Sequence, residues 1–280
     1  MSKKTKEEEV DEIKQKSGHG LHLKVANYLE SKGWEVVIGQ YYIDIATGLS
    51  RDLDILATKY FPIADSGTNL RIRFFIECKY VENINVVWFT PKDLKKSQAL
   101  IADTGLMRGS EEHEMRIANP ASYMPLYHHY MENSPVAKLT DKKGQQDIFY
   151  QGVNSSVHGM IALRNTNYER FSFDYPVIVF DSFEKIFRAT EDNKNIEITE
   201  NFQRAIDYSY KQEDQLKSKY FIIDIVSFEL IDSFLENIEK ADVEIMKSKA
   251  FSQIKEERFQ ERMHNINRYS NDDPFNDYGI

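Results

Sequence analysis

The stretch Phe74-Phe75-Ile76-Glu77-Cys78-Lys79-Tyr80 puts a carboxylate and an ammonium inside a run of bulky apolar residues. Taking one charge out of water costs on the order of several kcal/mol unless it is paired or bound to a metal. Side chains of a strand alternate between its two faces. Arg71, Arg73, Phe75, Glu77 and Lys79 therefore share one face, while Ile72, Phe74, Ile76, Cys78 and Tyr80 form the other, which suits a core. Upstream, Arg51-Asp52-Leu53-Asp54-Ile55-Leu56-Ala57 alternates in the same way, with Asp52, Asp54 and Leu56 on one face. Folding the two runs into a hairpin that turns between Asp65 and Ser66 sets Asp54 opposite Glu77. Directly opposed residues have Cβ atoms roughly 4.5–5.5 Å apart. A register slipped by two would offer Asp52 instead.

Two ionised carboxylates that close repel each other, and the pKa of one rises. A divalent cation removes the conflict. Oxygen ligands from one or two carboxylates, with other positions left to water and phosphate, describe a Mg²⁺ site that Mn²⁺ can also occupy. Asp54 and Glu77 are thus the candidate metal ligands and catalytic acids. Lys79, two residues on and on the same face, is the candidate to orient the attacking water or to stabilise charge on a phosphate. His22 flanks the apolar stripe of a helix facing these strands and is a candidate additional site residue. Arg71, Arg73, Lys92, Lys95, Lys96 and Arg108 are candidate contacts to a DNA backbone. The competing reading is a solvated sheet face on which Arg71 and Arg73 neutralise the acids. A Glu-x-Lys triplet alone has little weight, since Glu12-Ile13-Lys14 is a second instance, without apolar flanks.

The elements that must position these groups follow in order. Leu21, Val25, Tyr28 and Leu29 recur at helical spacing over residues 20–32, and Gly33 stops that helix. Three strand-like runs follow, at 34–46, 51–61 and 70–81, which predicts an antiparallel meander under the helix. Thr90 as cap and Pro91 in the first turn predict a helix over 90–106. Residues 107–143 are less periodic and read as an insertion or lid. A helix is expected over 145–165, headed by Gln145 and Gln146, then strands at 174–182 and 219–228, then one long amphipathic helix or two up to about residue 262. Residues 1–17 and 266–280 read as polar tails around one elaborated α/β domain, 18–265.

Composition narrows the class. With 280 residues, 41% hydrophobic, 16 Tyr and 17 Phe, a sizeable core is affordable. No apolar run reaches the roughly 18 residues of a membrane span, and the charged N-terminus has no secretory core segment. One cysteine fits a reducing cytoplasm. The net charge of −9 argues against a protein that coats nucleic acid, yet it is uneven. Residues 1–140 carry 18 basic and 19 acidic side chains, residues 141–280 carry 18 and 26. The first half leaves room for a basic surface, and the acidic second half suits a protein partner. Cys78 reads as a buried small residue, and the His128-His129 pair lacks zinc-site companions.

In residues 18–105, the order of Gly20-Leu21-His22-Leu23-Lys24 with its helix, Arg51-Asp52-Leu53-Asp54-Ile55-Leu56-Ala57, and Phe74 to Tyr80 resembles the PD-(D/E)xK nuclease superfamily. That resemblance implies a restriction-endonuclease-like core, a central mixed sheet flanked by helices, with a C-terminal α/β elaboration. It matches Asp54 to the first catalytic acid, Glu77 to the second and Lys79 to the catalytic lysine. Histidine stands at position 22, where members often carry a glutamate, and the proline of the family's name is missing. The activity implied is metal-dependent hydrolysis of DNA, in restriction, phage defence or repair, with a dimer suited to cutting both strands. The rival expectations are an inactive nuclease-fold subunit that binds nucleic acid or a partner protein, and an RNA nuclease.

Overall fold

The computed structural model describes residues 5–10, 19–45, 47–81, 83–91, 93, 95–96, 133–135, 148–164, 169–189, 196–212 and 215–271. Helix α1 (His19–Ser31) ends where Gly33 takes φ +81°, as its position after the apolar stripe predicts. Strands β1 (Glu35–Ile43), β2 (Ser50–Ile63) and β3 (Thr68–Lys79) form the expected antiparallel meander. The long connection then supplies β4 (Asn85–Pro91) and β5 (Asn133–Pro135). Helix α2 (Ile148–Leu163) leads into β6 (Phe171–Phe180), followed by β7 (Ile186–Ala189), β8 (Ile196–Ile198), β9 (Phe202–Gln212) and β10 (Gln215–Ser227). Helix α3 (Ile231–Asn237) passes through a wide π turn, Ile238–Asp242, into α4 (Val243–Asn271).

The main sheet has six strands in the order β1-β2-β3-β6-β10-β9. It is mixed: β3, β6 and β10 run parallel, and the remaining pairs are antiparallel. A smaller sheet has the order β5-β4-β7-β8. Parallel strands at the centre of a sheet are covered on both faces and read as unbroken apolar runs. β6 is covered on both faces, since all ten of its residues are buried, but Ser172 and Asp174 interrupt its apolar run.

One core lies between the sheet and α1, α3 and α4. It contains Leu21, Val25, Leu29, Phe74, Ile76, Phe173, Tyr175, Phe234 and Met246. The other lies under α2 and contains Phe75, Phe149, Val157, Ile178 and Phe221. The two clusters take alternate residues of β3, as the period of two requires. α2 can approach closely because of its glycines: a Cβ on Gly152 would sit 2.9 Å from Ile178 Cδ1.

Three expectations are corrected here. Thr90 and Pro91 do not open a helix, because they end β4, which pairs in parallel with β7 and antiparallel with β5. Pairing of Thr90 with Ser134 and of Pro91 with Asn133 overrides the local cap signal. The C-terminal tail begins later than residue 266, since α4 runs to Asn271. The later half also holds more strand than the two runs read from the sequence, with β7, β8 and β9 added. The insertion 107–143 lies outside the described residues apart from β5, as do Arg108, His128, His129, Gln145 and Gln146. Among the described residues no helix is long and apolar enough to cross a membrane.

Candidate active site

The β2–β3 register is the one the symmetric hairpin predicts: Ile55 pairs with Ile76, Leu56 with Phe75, and Ile63 with Thr68 at the turn. The ladder stops at Ile55, one residue before Asp54, whereas β3 continues beside β6 to Lys79. β1 has a matching break. Its pairing passes from Ile38↔Ile55 to Gln40↔Leu53, with Gly39 between them in the left-handed region at φ +67°. Asp54 therefore sits in a fork where β2 leaves β3.

The fork frees a backbone donor, and Asp54 takes it. The Cys78 N–H donates to Asp54 Oδ2 at 2.7 Å, and His22 Nε2 on α1 lies 3.2 Å from the same oxygen. This fixes the Asp54 carboxylate at the C-terminal end of β3. Glu77 is only 7% exposed. Lys79 Nζ donates to its Oε1 at 2.6 Å, while Glu77 Oε2 is buried with no hydrogen-bond partner among the described residues. Burial raises the Glu77 carboxyl from its ordinary 4.5 to about 7, and the Asp54 charge adds to the rise. Lys79 and His22 pull in the opposite direction.

The sequence-predicted group of Asp54, Glu77, Lys79 and His22 thus gathers at one end of β3. Ligand atoms of His22, Asp54 and Cys78 also lie within 4.8 Å of one another. The Cys78 thiol is a poor third donor, because burial and then the charges of Asp54 and Glu77 push its pKa well up. The atom in need of a partner is a hard carboxylate oxygen, Glu77 Oε2, and that donor chemistry fits a small oxygen-seeking cation. Asp52, the slipped-register alternative, is exposed and pairs with Tyr41 across the ladder.

The other candidates separate from this group. Arg71 and Arg73 are not surface contacts for DNA: both are buried, at 3% and 4% exposure. β6 lies beside β3 and covers them. Arg73 faces its register partner Asp174, donating from Nε to Oδ1 at 2.8 Å and from Nη2 to Oδ2 at 2.9 Å. It also donates to the carbonyls of Leu163 and Arg164, both at 3.1 Å, and so caps the C-terminus of α2. Arg71 Nε donates to Ser172 Oγ at 3.1 Å. Lys95 is exposed, and Lys96 donates to Asp207 on β9 at 2.6 Å. Lys92 lies outside the described residues.

Sequence reading missed a second polar cluster near this end of the sheet. Asp44, 1% exposed, follows β1 and lies 3.0 Å from His158 Nδ1 on α2 and 2.8 Å from Arg51 Nε. His158 Nε2 is in hydrogen-bond contact with the Tyr208 hydroxyl on β9. One histidine thereby joins elements from both edges of the sheet. Tyr42 senses both clusters: burial pushes its pKa up to about 12, helped by the charges of Asp44 and then Glu77. No short-range pattern links positions 44, 158 and 208, so only the fold discloses the cluster. Compared with known proteins, the chain matches no family model, no curated protein and no solved structure.

Proposed function

We propose that this chain is a metal-dependent nuclease that hydrolyses DNA phosphodiester bonds at a PD-(D/E)xK-type site made of Asp54, Glu77 and Lys79. The observation that carries the reading is the orphaned Glu77 Oε2, buried beside Asp54 and raised to a pKa of about 7. A carboxylate so placed is unfavourable in the fold alone and favourable once a cation shares it. Asp54 and Glu77 are the residues to hold Mg²⁺, or Mn²⁺ in its place. When bound, such a cation supplies charge neutralisation and Lewis-acid activation of water.

The chain's own groups then have separate tasks. The Cys78 N–H and His22 hold Asp54 in position without further strain on the strand. Lys79 Nζ lies 2.6 Å from Glu77 Oε1 and orients the nucleophile for in-line attack on the phosphorus. Burial of the acids excludes competing water, which strengthens each of these interactions. The restriction-endonuclease-like core belongs to the same proposal, as does a role in restriction, phage defence or repair.

The test is incubation of the purified chain with duplex DNA, single-stranded DNA and RNA, with Mg²⁺ or with EDTA. DNA is expected to be cut with Mg²⁺ only, and Glu77→Ala and Lys79→Ala should abolish cutting while retaining the circular-dichroism spectrum. Cleavage that persists in EDTA or in both variants overturns the mechanism. RNA-only cleavage would replace the substrate class.

A further inference from the structure

A second concavity opens at the same end of the sheet as Glu77 and Lys79. The parallel registers align them: Lys79 and Ser227 are both partners of Phe180, from opposite sides. Two strand spacings of about 4.8 Å put the Ser227 backbone roughly 10 Å from that of Lys79. The cavity, of about 620 Å³, is framed by the turn after β6, the β8–β9 connection, the end of β10 and the start of α3.

Its lining is one-sided in charge. Glu184, Glu200 and Glu229 line it and are exposed, and no Lys or Arg is among its described lining residues. Its floor is unsatisfied. Thr199 and Ser227 line it at 4% and 1% exposure, and the hydroxyl oxygens of both are buried without a hydrogen-bond partner among the described residues. The walls, by contrast, are tied. The Ser227 N–H donates to Asn201 Oδ1 at 3.0 Å, and Asn201 Nδ2 donates to the Leu230 carbonyl at 3.0 Å. Leu230, at 38% exposure, adds apolar surface to the cavity lining. Buried hydroxyls left open inside a braced wall are vacant hydrogen-bonding positions. A ligand that brings N–H donors, positive charge and an aliphatic stem matches every part of this lining.

We propose that the cavity binds an alkylammonium group, from a free polyamine or from a lysine side chain of a partner segment, and that this binding promotes attack on nucleic acid at the neighbouring site. The second half of the proposal rests on the nuclease reading above; the first half does not. The Ser227 backbone of the cavity lies roughly 10 Å from that of Lys79, just beyond the Debye length of about 8 Å at physiological salt, so repulsion of a substrate backbone by the three carboxylates is felt chiefly at low ionic strength. An ammonium seated among them reverses that term.

Calorimetry on the full chain in low salt, with spermidine and separately with a tetralysine peptide, tests binding without reference to cleavage. Saturable one-to-one binding is expected. Glu184→Gln/Glu200→Gln/Glu229→Gln should weaken it by about tenfold or more, and Thr199→Val/Ser227→Ala should weaken it with the charges intact. Spermidine binding alone identifies a free polyamine, and tighter peptide binding identifies a partner segment. Absence of binding by both probes, or binding unchanged in the triple variant, overturns the cavity assignment whether or not DNA is cut. Cleavage is the second readout. The triple variant should cut Mg²⁺-loaded DNA without need of spermidine, whereas the wild type should be stimulated by it. If the probes bind and neither protein cuts DNA, the nuclease reading fails and the cavity assignment stands.

Discussion

Arg73 and Glu77 stand four residues apart on the same face of β3, both almost fully buried, and the fold treats them in opposite ways. Arg73 meets both oxygens of Asp174, the last carbonyl of α2 at Leu163 and the next one at Arg164. Glu77 has one oxygen on Lys79 and the other on no partner among the described residues. A buried ion retained for architecture is one whose polar atoms are all matched, because an unmatched atom forfeits its hydration without return. A buried acid with an open atom at a strand end, next to a second acid, is the feature from which the proposed cation site is argued. The difference between the two residues separates the part of β3 that is matched within the fold from the part on which the proposed function rests.

The largest effect expected from this contrast is at the structural pair. Arg73→Met leaves the buried Asp174 with longer contacts, to Arg164 Nε at 3.8 Å and Ser172 Oγ at 3.4 Å, and uncaps α2, which should cost about 3–5 kcal/mol in urea unfolding. A loss below about 1 kcal/mol would erase the distinction between the two residues. The next effect is one of pH. Glu77 has a carboxyl raised from 4.5 to about 7, so the folded state holds its proton more tightly than the unfolded state. Its contribution is complete below pH 4.5 and is lost as pH rises through 7, on the order of 3 kcal/mol without metal. Chelator-treated protein should therefore lose stability between pH 4.5 and 8. Glu77→Gln should flatten that slope, and millimolar Mg²⁺ should restore the wild-type stability at pH 8. A slope identical in wild type and Glu77→Gln would remove Glu77 as its source.

These two residues also mark what a sequence can and cannot disclose. The alternation of residues 70–80 and the position of the turn were enough to place Asp54 against the end of β3, because a hairpin is local and its register follows from side-chain period. The partner of Arg73 was not accessible in that way. Asp174 lies 101 residues downstream, on a strand that enters beside β3 in parallel only after α2 has crossed the sheet. Without β6, the face bearing Arg71 and Arg73 looks solvated, and two buried arginines look like DNA contacts. The helix signal at Thr90-Pro91 failed for a related reason, since β5, more than forty residues on, pairs with that segment as a strand. Asp44, His158 and Tyr208 meet only because the two sheet edges both reach α2. Local physics set the strands and the acid pair; long-range pairing decided which charges are enclosed.

A smaller effect belongs to Lys79. It is the cation hydrogen-bonded to Glu77, and its side chain is 19% exposed, so Lys79→Met should cost about 1–2 kcal/mol at pH 8. The cost should shrink toward pH 5, where Glu77 is protonated in the fold and needs no counter-charge. A cost independent of pH would mean that the lysine acts through packing of its stem.

The smallest effect sharpens the boundary of the working region. His22 touches Asp54, which already accepts the Cys78 N–H, so His22→Ala leaves that carboxylate hydrogen-bonded and should change stability by less than about 1 kcal/mol. Its consequence should appear in function instead. An outer group that orients a metal-binding carboxylate is worth about 10–100-fold in metal affinity or activity. The Mg²⁺ concentration for half-maximal cleavage should rise by about that factor, and the rate at saturating Mg²⁺ should recover more than it does in Glu77→Ala. If His22→Ala instead destabilises the fold as strongly as Arg73→Met, then α1 is braced through this contact, and His22 belongs with the architectural residues.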